Sequence, residues 1–157
     1  MSWLESHLGD RKQFVSINGS ESETLTMQHG VPQGSILGPI LFLTYINDIP
    51  EISNFAKIIL YADDANIILT TNTIDEIDNQ LKVLIPNLLK WIHSNGLLIN
   101  LKKTKYMIFS RSRNIDLPEP LKISETPIER LHEARFLGVI IDESLNWTNI
   151  LKLFSQK

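Results

Sequence analysis

Two aspartates stand side by side in Tyr61-Ala62-Asp63-Asp64, between the segments Lys57-Ile58-Ile59-Leu60 and Ala65-Asn66-Ile67-Ile68-Leu69. Both flanks are apolar and β-prone, which predicts a hairpin with the two carboxylates at its tip. Adjacent carboxylates repel, and no Lys or Arg follows them before Lys82. A divalent cation would resolve that conflict, because Mg²⁺ takes oxygen ligands, commonly one or two carboxylates together with substrate phosphates. Such an arrangement suits nucleotidyl transfer. The competing reading is ordinary turn chemistry, in which Asp is favoured for local hydrogen bonding alone.

Elements able to position this tip can be read on either side of it. Trp3 to Leu8 reads as the end of a helix. Phe14-Val15-Ser16-Ile17 and Thr24-Leu25-Thr26-Met27 alternate as strands joined through Asn18-Gly19-Ser20-Glu21, where Asn-Gly is a strong hairpin signal. The loop Gly30-Val31-Pro32-Gln33-Gly34-Ser35 opens a helix to about Asp48, with Pro39 tolerated in its first turn. That helix is apolar on almost every side, so burial is expected. Thr73 and Glu76 form a capping box for a second helix, whose apolar positions run at helical spacing to Asn95-Gly96. Pro86 lies inside it and is expected to kink or divide it. Strands are expected over Lys105 to Ser110 and Phe136 to Ile141, with a polar loop from Asn114 to Pro120 and a last helical turn after Trp147.

The bulk numbers set outer limits. A chain of 157 residues, 43% hydrophobic and 21% charged, fits one modest globular domain, and no repeat or linker divides residues 1–157. Without cysteine there are no disulfides and no Cys-based zinc sites, which suits an intracellular protein, nuclear or cytoplasmic. No basic-then-apolar leader is visible, so secretion is not expected. The longest apolar run, Ile36 to Ile46, falls short of the roughly 20 residues a membrane-spanning helix needs. The net charge of −3 conceals a basic block: residues 82–113 carry Lys82, Lys90, Lys102, Lys103, Lys105, Arg111 and Arg113 with no acid. Such a block can track phosphate, or simply be a solvated face.

Taken in order, Gly30-Val31-Pro32-Gln33-Gly34-Ser35-Ile36-Leu37-Gly38-Pro39, Tyr45-Ile46-Asn47-Asp48-Ile49-Pro50 and Tyr61-Ala62-Asp63-Asp64 resemble the motifs of reverse transcriptases of non-LTR (LINE-type) retrotransposons. The likeness extends upstream through Arg11-Lys12-Gln13-Phe14-Val15. Downstream it takes in Asn100-Leu101-Lys102-Lys103-Thr104 and Phe136-Leu137-Gly138-Val139-Ile140-Ile141-Asp142. It implies an α+β polymerase palm, an antiparallel sheet carrying the Asp63 hairpin centrally with helices on one face. It implies RNA-directed DNA polymerisation by a two-metal mechanism, with Mg²⁺ (or Mn²⁺) held by Asp63 and Asp64. Gln33, Gly34 and Tyr61 would lie beside the incoming nucleotide and template. Lys103 would approach the departing pyrophosphate, and Phe136, Leu137 and Gly138 would belong to a hairpin that grips the primer end. Partners would be an RNA template, a DNA primer and a deoxynucleoside triphosphate, with no membrane.

The same resemblance shows what this chain lacks. The family's first catalytic motif, an aspartate ending a strand, has no match in residues 1–30. Asp10 sits in a polar turn, and Asp48 at a helix end where turn contacts are expected. The fingers are absent and the thumb is at most begun near residues 143–157. Two metal ions about 3.5–4 Å apart need carboxylates from more than one element. Weak metal binding and no polymerisation by the chain alone are therefore expected. A non-catalytic nucleic-acid- or partner-binding remnant is the alternative, and an unpaired sheet edge would favour self-association.

Overall fold

The computed structural model describes residues 3–27, 30–32, 34–110 and 115–145. Its longest element is the helix Ile74–Ser94, and both of its ends follow from local chemistry. Thr73 is extended, and its side chain accepts from the Glu76 N–H at 3.3 Å. Glu76 returns the bond to the Asn72 N–H at 3.1 Å, one residue earlier than the usual box. At the other end the Gly96 N–H donates to the His93 carbonyl at 3.1 Å, and the Leu97 N–H to the Ile92 carbonyl at 3.0 Å. These two bonds are the Schellman pattern, which satisfies carbonyls the helix itself cannot.

Pro86 lies within this helix but does not divide it. Leu84 and Leu88 flank the proline and are both buried, Leu84 to 3% exposure. The same helix packs on a 3₁₀ turn at Ile49–Ile52. Asn87 on the helix donates from Nδ2 to the Ile52 carbonyl of that turn at 3.2 Å. Two caps and a packed apolar face offset the one hydrogen bond that proline removes.

In chain order the elements are α1 (Trp3–Leu8), β1 (Lys12–Gln13), β2 (Ser16–Ile17), β3 (Ser20–Glu21), β4 (Leu25–Thr26) and α2 (Gly38–Tyr45). After the 3₁₀ turn come β5 (Lys57–Tyr61), β6 (Asp64–Ile68), α3 (Ile74–Ser94) and β7 (Lys105–Tyr106). The described chain closes with β8 (Lys122–Ile123), β9 (Thr126–Pro127), β10 (Glu129–Arg130), β11 (Glu133–Phe136) and β12 (Val139–Asp142). The mixture of helices and largely antiparallel strands is an α+β fold. The described residues divide into two compact units. One is the chain up to Asp48 with Leu60–Asp64; the other is Ile49–Ile59 with the chain from Ala65 onward.

Within the first unit, Asn18 and Gly19 both have positive φ and close a two-residue turn between β2 and β3. That is the signature of a type I′ hairpin, as the Asn-Gly pair predicts. Ser16 pairs with Glu21 and Ile17 with Ser20, whereas Lys12 pairs with Thr26 and Gln13 with Leu25. The register slips by one residue between the two pairs, so the return strand carries a bulge near Ser22–Thr24. Ser22 fills the gap, donating its N–H to the Val15 carbonyl and accepting the Val15 N–H on Oγ, each at 2.9 Å.

Four expectations are corrected. The strands form two-stranded pairs among the described residues, not one sheet with the Asp63 hairpin at its centre, and β7 pairs with β10 in parallel. Among the described residues no third strand lies beside either edge of the β5–β6 pair. Helix α2 is not buried: Ile40, Leu43 and Tyr45 are exposed, and no other described element packs extensively on it. Its apolar surface needs a covering layer that those residues do not supply. The expected single strand from Phe136 to Ile141 is two strands, because Leu137 and Gly138 take positive φ and turn the chain back. The strand expected over Lys105 to Ser110 shortens to β7, and the helical turn expected after Trp147 lies outside the described residues.

The core position of Leu84 carries a prediction. Leu84→Ala is expected to destabilise the chain by about 2–4 kcal/mol, as transfer and cavity terms add. Urea unfolding measures this, and a loss below about 1 kcal/mol would mean the α3 contact is not closely packed.

Candidate active site

The Asp-Asp tip depends on a turn of only two residues. Ala62 and Asp63 connect β5 to β6, and the two strands pair as a two-stranded sheet. Ala62 has φ +50°, while Asp63 stays on the ordinary negative side. Positive φ confined to the first turn residue is the pattern of a type II′ hairpin, where glycine is the usual occupant. Alanine there accepts local strain of about 1 kcal/mol or more, a cost that recurs at functional sites. Asp63 sits in the turn, Asp64 is the first residue of β6, and both are exposed. Tyr61, the last residue of β5, is 60% exposed. The tip thus keeps two charges and one phenol in solvent, as carboxylates too close to be buried together require.

The glycine loop precedes α2 in the same unit as the tip. Gly34 has φ +80°, and a Cβ added there would meet nothing within 4 Å. Backbone conformation, not crowding by the chain, is what calls for glycine. Ser35 then accepts the Gly38 N–H on Oγ at 2.9 Å and starts the turn that becomes α2, with Pro39 in the first turn. Arg11 fastens the loop's beginning: its Nε donates to the Leu8 carbonyl at 3.1 Å and its Nη2 to the Gly30 carbonyl. Gln33 lies outside the described residues.

The remaining expected site residues belong to the second unit. Lys103 is exposed in a turn after α3, its N–H donating to the Asn100 carbonyl at 3.0 Å. Phe136 ends β11, and Leu137 and Gly138 form the turn of the β11–β12 hairpin. Leu137 is 55% exposed and Phe136 is exposed as well, so strand burial does not account for them. Asp10 has positive φ in an exposed bend after α1, and Asp48 is exposed in the turn after α2.

Asp63 and Asp64 supply hard oxygen donors, which fits Mg²⁺ or Mn²⁺ chemistry in kind. Among the described residues, however, no group of three or more acidic, His or Cys side chains is placed to hold a metal. The basic block is partly spent internally. Lys82 pairs with Asp78 at 2.6 Å one helical turn away, which holds its ammonium above the usual value, and Lys105 pairs with Glu129. Arg111 and Arg113 lie outside the described residues. This weakens the case that the block acts as one phosphate track.

A polar network in the second unit escaped the sequence reading. Arg130 reaches Asp116 at 3.1 Å and Glu143 at 3.0 Å, and His132 Nδ1 meets the same Glu143 oxygen at 2.8 Å. The bond to His132, with Arg130 adding to it, holds the Glu143 carboxyl below its usual range. Nearby, burial and the Asp116 charge push the Tyr106 phenol up. These partners lie 11 to 14 positions apart along the chain, beyond any local motif. The β11–β12 hairpin brings Glu143 back to Arg130 and His132, and the Arg130–Asp116 pair depends on the fold of the preceding loop.

Two predictions follow from this geometry. Ala62→Gly is expected to leave stability unchanged or raise it by less than about 1 kcal/mol, since glycine accepts positive φ. Ala62→Val is expected to be worse than the glycine variant by at least about 1 kcal/mol, and equal thermal midpoints would contradict the strained turn. Because the Glu143 carboxyl is lowered in the fold, its contribution is complete above the ordinary carboxylate range and is lost as pH falls through the lowered value. Wild type and Glu143→Gln should therefore draw together in urea stability as pH falls below the ordinary carboxylate range and through the lowered value. A gap that stays constant down to the pH at which the Glu143 carboxyl is seen to protonate would show that the charge is irrelevant.

A model of the family described as reverse transcriptase (RNA-dependent DNA polymerase) matches residues 1–141. The chain is 28% identical over 161 residues to a probable RNA-directed DNA polymerase from transposon BS of Drosophila melanogaster, covering 98% of this chain and 18% of that protein. It is 28% identical over 149 residues to the probable RNA-directed DNA polymerase from transposon X-element of the same species, covering 92% and 16%. With the RNA-directed DNA polymerase from mobile element jockey of Drosophila funebris it shares 29% identity over 151 residues, covering 92% and 16%. It thus spans less than a fifth of the length of these curated relatives. No solved structure matches the chain. The chain belongs to the reverse transcriptase (RNA-dependent DNA polymerase) family, as a relative of the enzymes of non-LTR retrotransposons.

Proposed function

We propose that this chain carries the Asp-Asp part of an RNA-directed DNA polymerase site, and that by itself it does not polymerise. The observation that carries the reading is the strained two-residue turn that holds Asp63 and Asp64 exposed and adjacent. Asp63 and Asp64 are the residues that would hold Mg²⁺ or Mn²⁺. When bound, the metal would lower the charge on the nucleotide phosphates and favour ionisation of the primer hydroxyl. The exposed Tyr61 and the Gly34 loop supply surfaces on which a nucleotide and template could rest, together with Gln33. Lys103 offers an exposed ammonium to the leaving pyrophosphate, and the Phe136–Gly138 tip an apolar contact for the primer end. RNA template, DNA primer and deoxynucleoside triphosphate are the partners this reading assigns.

Inactivity in isolation rests on the donor count. Two carboxylates from one hairpin make half of a two-metal site, and no third acidic side chain joins them among the described residues. The open edges of the two-stranded pairs support self-association of the isolated chain. No helix among the described residues is long and apolar enough to cross a membrane.

A chimera tests this. Replacing the matching stretch of an active jockey-type polymerase with this chain is expected to give Mg²⁺-dependent primer extension on RNA. Asp63→Asn in the chimera should lower the rate by at least about 100-fold, the scale on which an electrostatic group at the reacting centre counts. Primer extension by the isolated chain, or a chimera indifferent to Asp63→Asn, would overturn the reading.

A further inference from the structure

The β11–β12 hairpin presents an unusual combination: an apolar, exposed tip on a turn with positive φ at Leu137, and a base locked by charge. Phe136, Leu137 and Val139 are all exposed around the turn. At the base, the Glu143 N–H donates to the His132 carbonyl at 3.0 Å, extending the ladder past its last strand pair, Glu133 with Asp142. The Glu143 side chain accepts from Arg130 and meets His132 through one oxygen. Arg130 is the hub. Its backbone pairs in parallel with Tyr106, and the next N–H, of Leu131, donates to the Tyr106 carbonyl at 2.8 Å. Its side chain is only 18% exposed, and its two terminal nitrogens reach Asp116 in one direction and Glu143 in the other. The remaining nitrogen, Nε, is buried and makes no hydrogen bond.

One guanidinium thus joins three separate segments: the loop at Asp116, the β7–β10 ladder and the base of the β11–β12 hairpin. Arginine suits this because its planar fork aims several donors in fixed directions, which a lysine ammonium cannot do. A two-stranded hairpin alone is marginally stable, so the tip's direction must be fixed from its base. We infer that Arg130 is a positioning residue for this hairpin, holding its base so that the Phe136–Val139 tip meets the nucleic-acid substrate in one orientation. The inference rests on the reading of that tip as a primer contact, and it goes further by naming what aims it.

Two measurements on the 157-residue chain test it and separate its failure from that of the underlying reading. In hydrogen exchange, Arg130→Gln should speed exchange of the β11–β12 amides by about tenfold or more, the size expected for a lost hydrogen bond to a charged group, while α3 amides keep their rates. Arg130→Lys should restore only part of the protection. Glu143→Gln, which leaves the arginine in place, should give a smaller rise confined to the same hairpin, and it serves if the arginine variants do not fold. Hairpin amides that exchange at the wild-type rate in these variants would overturn the inference. In filter binding of an RNA–DNA template–primer duplex at low salt, Leu137→Ser and Arg130→Gln should each weaken affinity, with the double variant no weaker than either. Weakening by Leu137→Ser but not by Arg130→Gln would overturn the positioning role. A wild-type chain that holds no duplex would instead remove the primer contact itself, leaving exchange to decide whether Arg130 fixes the hairpin.

Discussion

Two negative charges on consecutive residues cannot be folded into an apolar interior, and the local structure around Asp63 and Asp64 follows from that constraint. The chain must turn there, and it must turn tightly enough to keep both side chains in water. It does so with two residues, and the strain of positive φ falls on Ala62. Strands β5 and β6 stabilise the turn through their pairing, and nothing in the turn neutralises the carboxylates. On the reading proposed above, such a tip would take a cation that arrives with a phosphate ligand and would not retain one alone.

Exposure recurs elsewhere. Ile36 at 92% exposure, the outer residues of α2 and the apolar residues of the first hairpin leave apolar surface in solvent. The chain spans less than a fifth of its curated relatives, and its strands occur only in pairs among the described residues. The second unit has the more developed interior, where α3 closes over the 3₁₀ turn and Ile123 and Ile128 are buried as well. The charged hub at Arg130 completes that unit with directional bonds in place of additional apolar area.

Local chemistry was legible in the sequence, and tertiary placement was not. The Thr73 cap, the Gly96 stop, the Asn18-Gly19 turn and the tip at Asp63 all depend on a few neighbouring residues; the first three formed as their residue types require, and the tip formed at the cost of positive φ at Ala62. The undivided α3 shows tertiary packing overriding the local preference of Pro86. The α2 expectation failed differently: an apolar surface calls for burial, but no pattern within one segment says what will bury it. Leu137 reads as a strand residue by its type, and only the family resemblance put it in a hairpin, where it takes positive φ. The tip and the glycine loop could be found because they are contiguous. The Arg130 network joins residues that only the fold brings together.

The central claim is that Asp63 and Asp64 form an incomplete cation site and not a decorative turn. The most direct measurement follows side-chain carboxyl resonances of isotopically labelled chain as Mg²⁺ is added. The account predicts saturable shifts at Asp63 and Asp64, larger than at the exposed Asp10 and Asp75, with the shift at Asp64 abolished by Asp63→Asn. Shifts at the tip no greater than at Asp10 and Asp75 would contradict it.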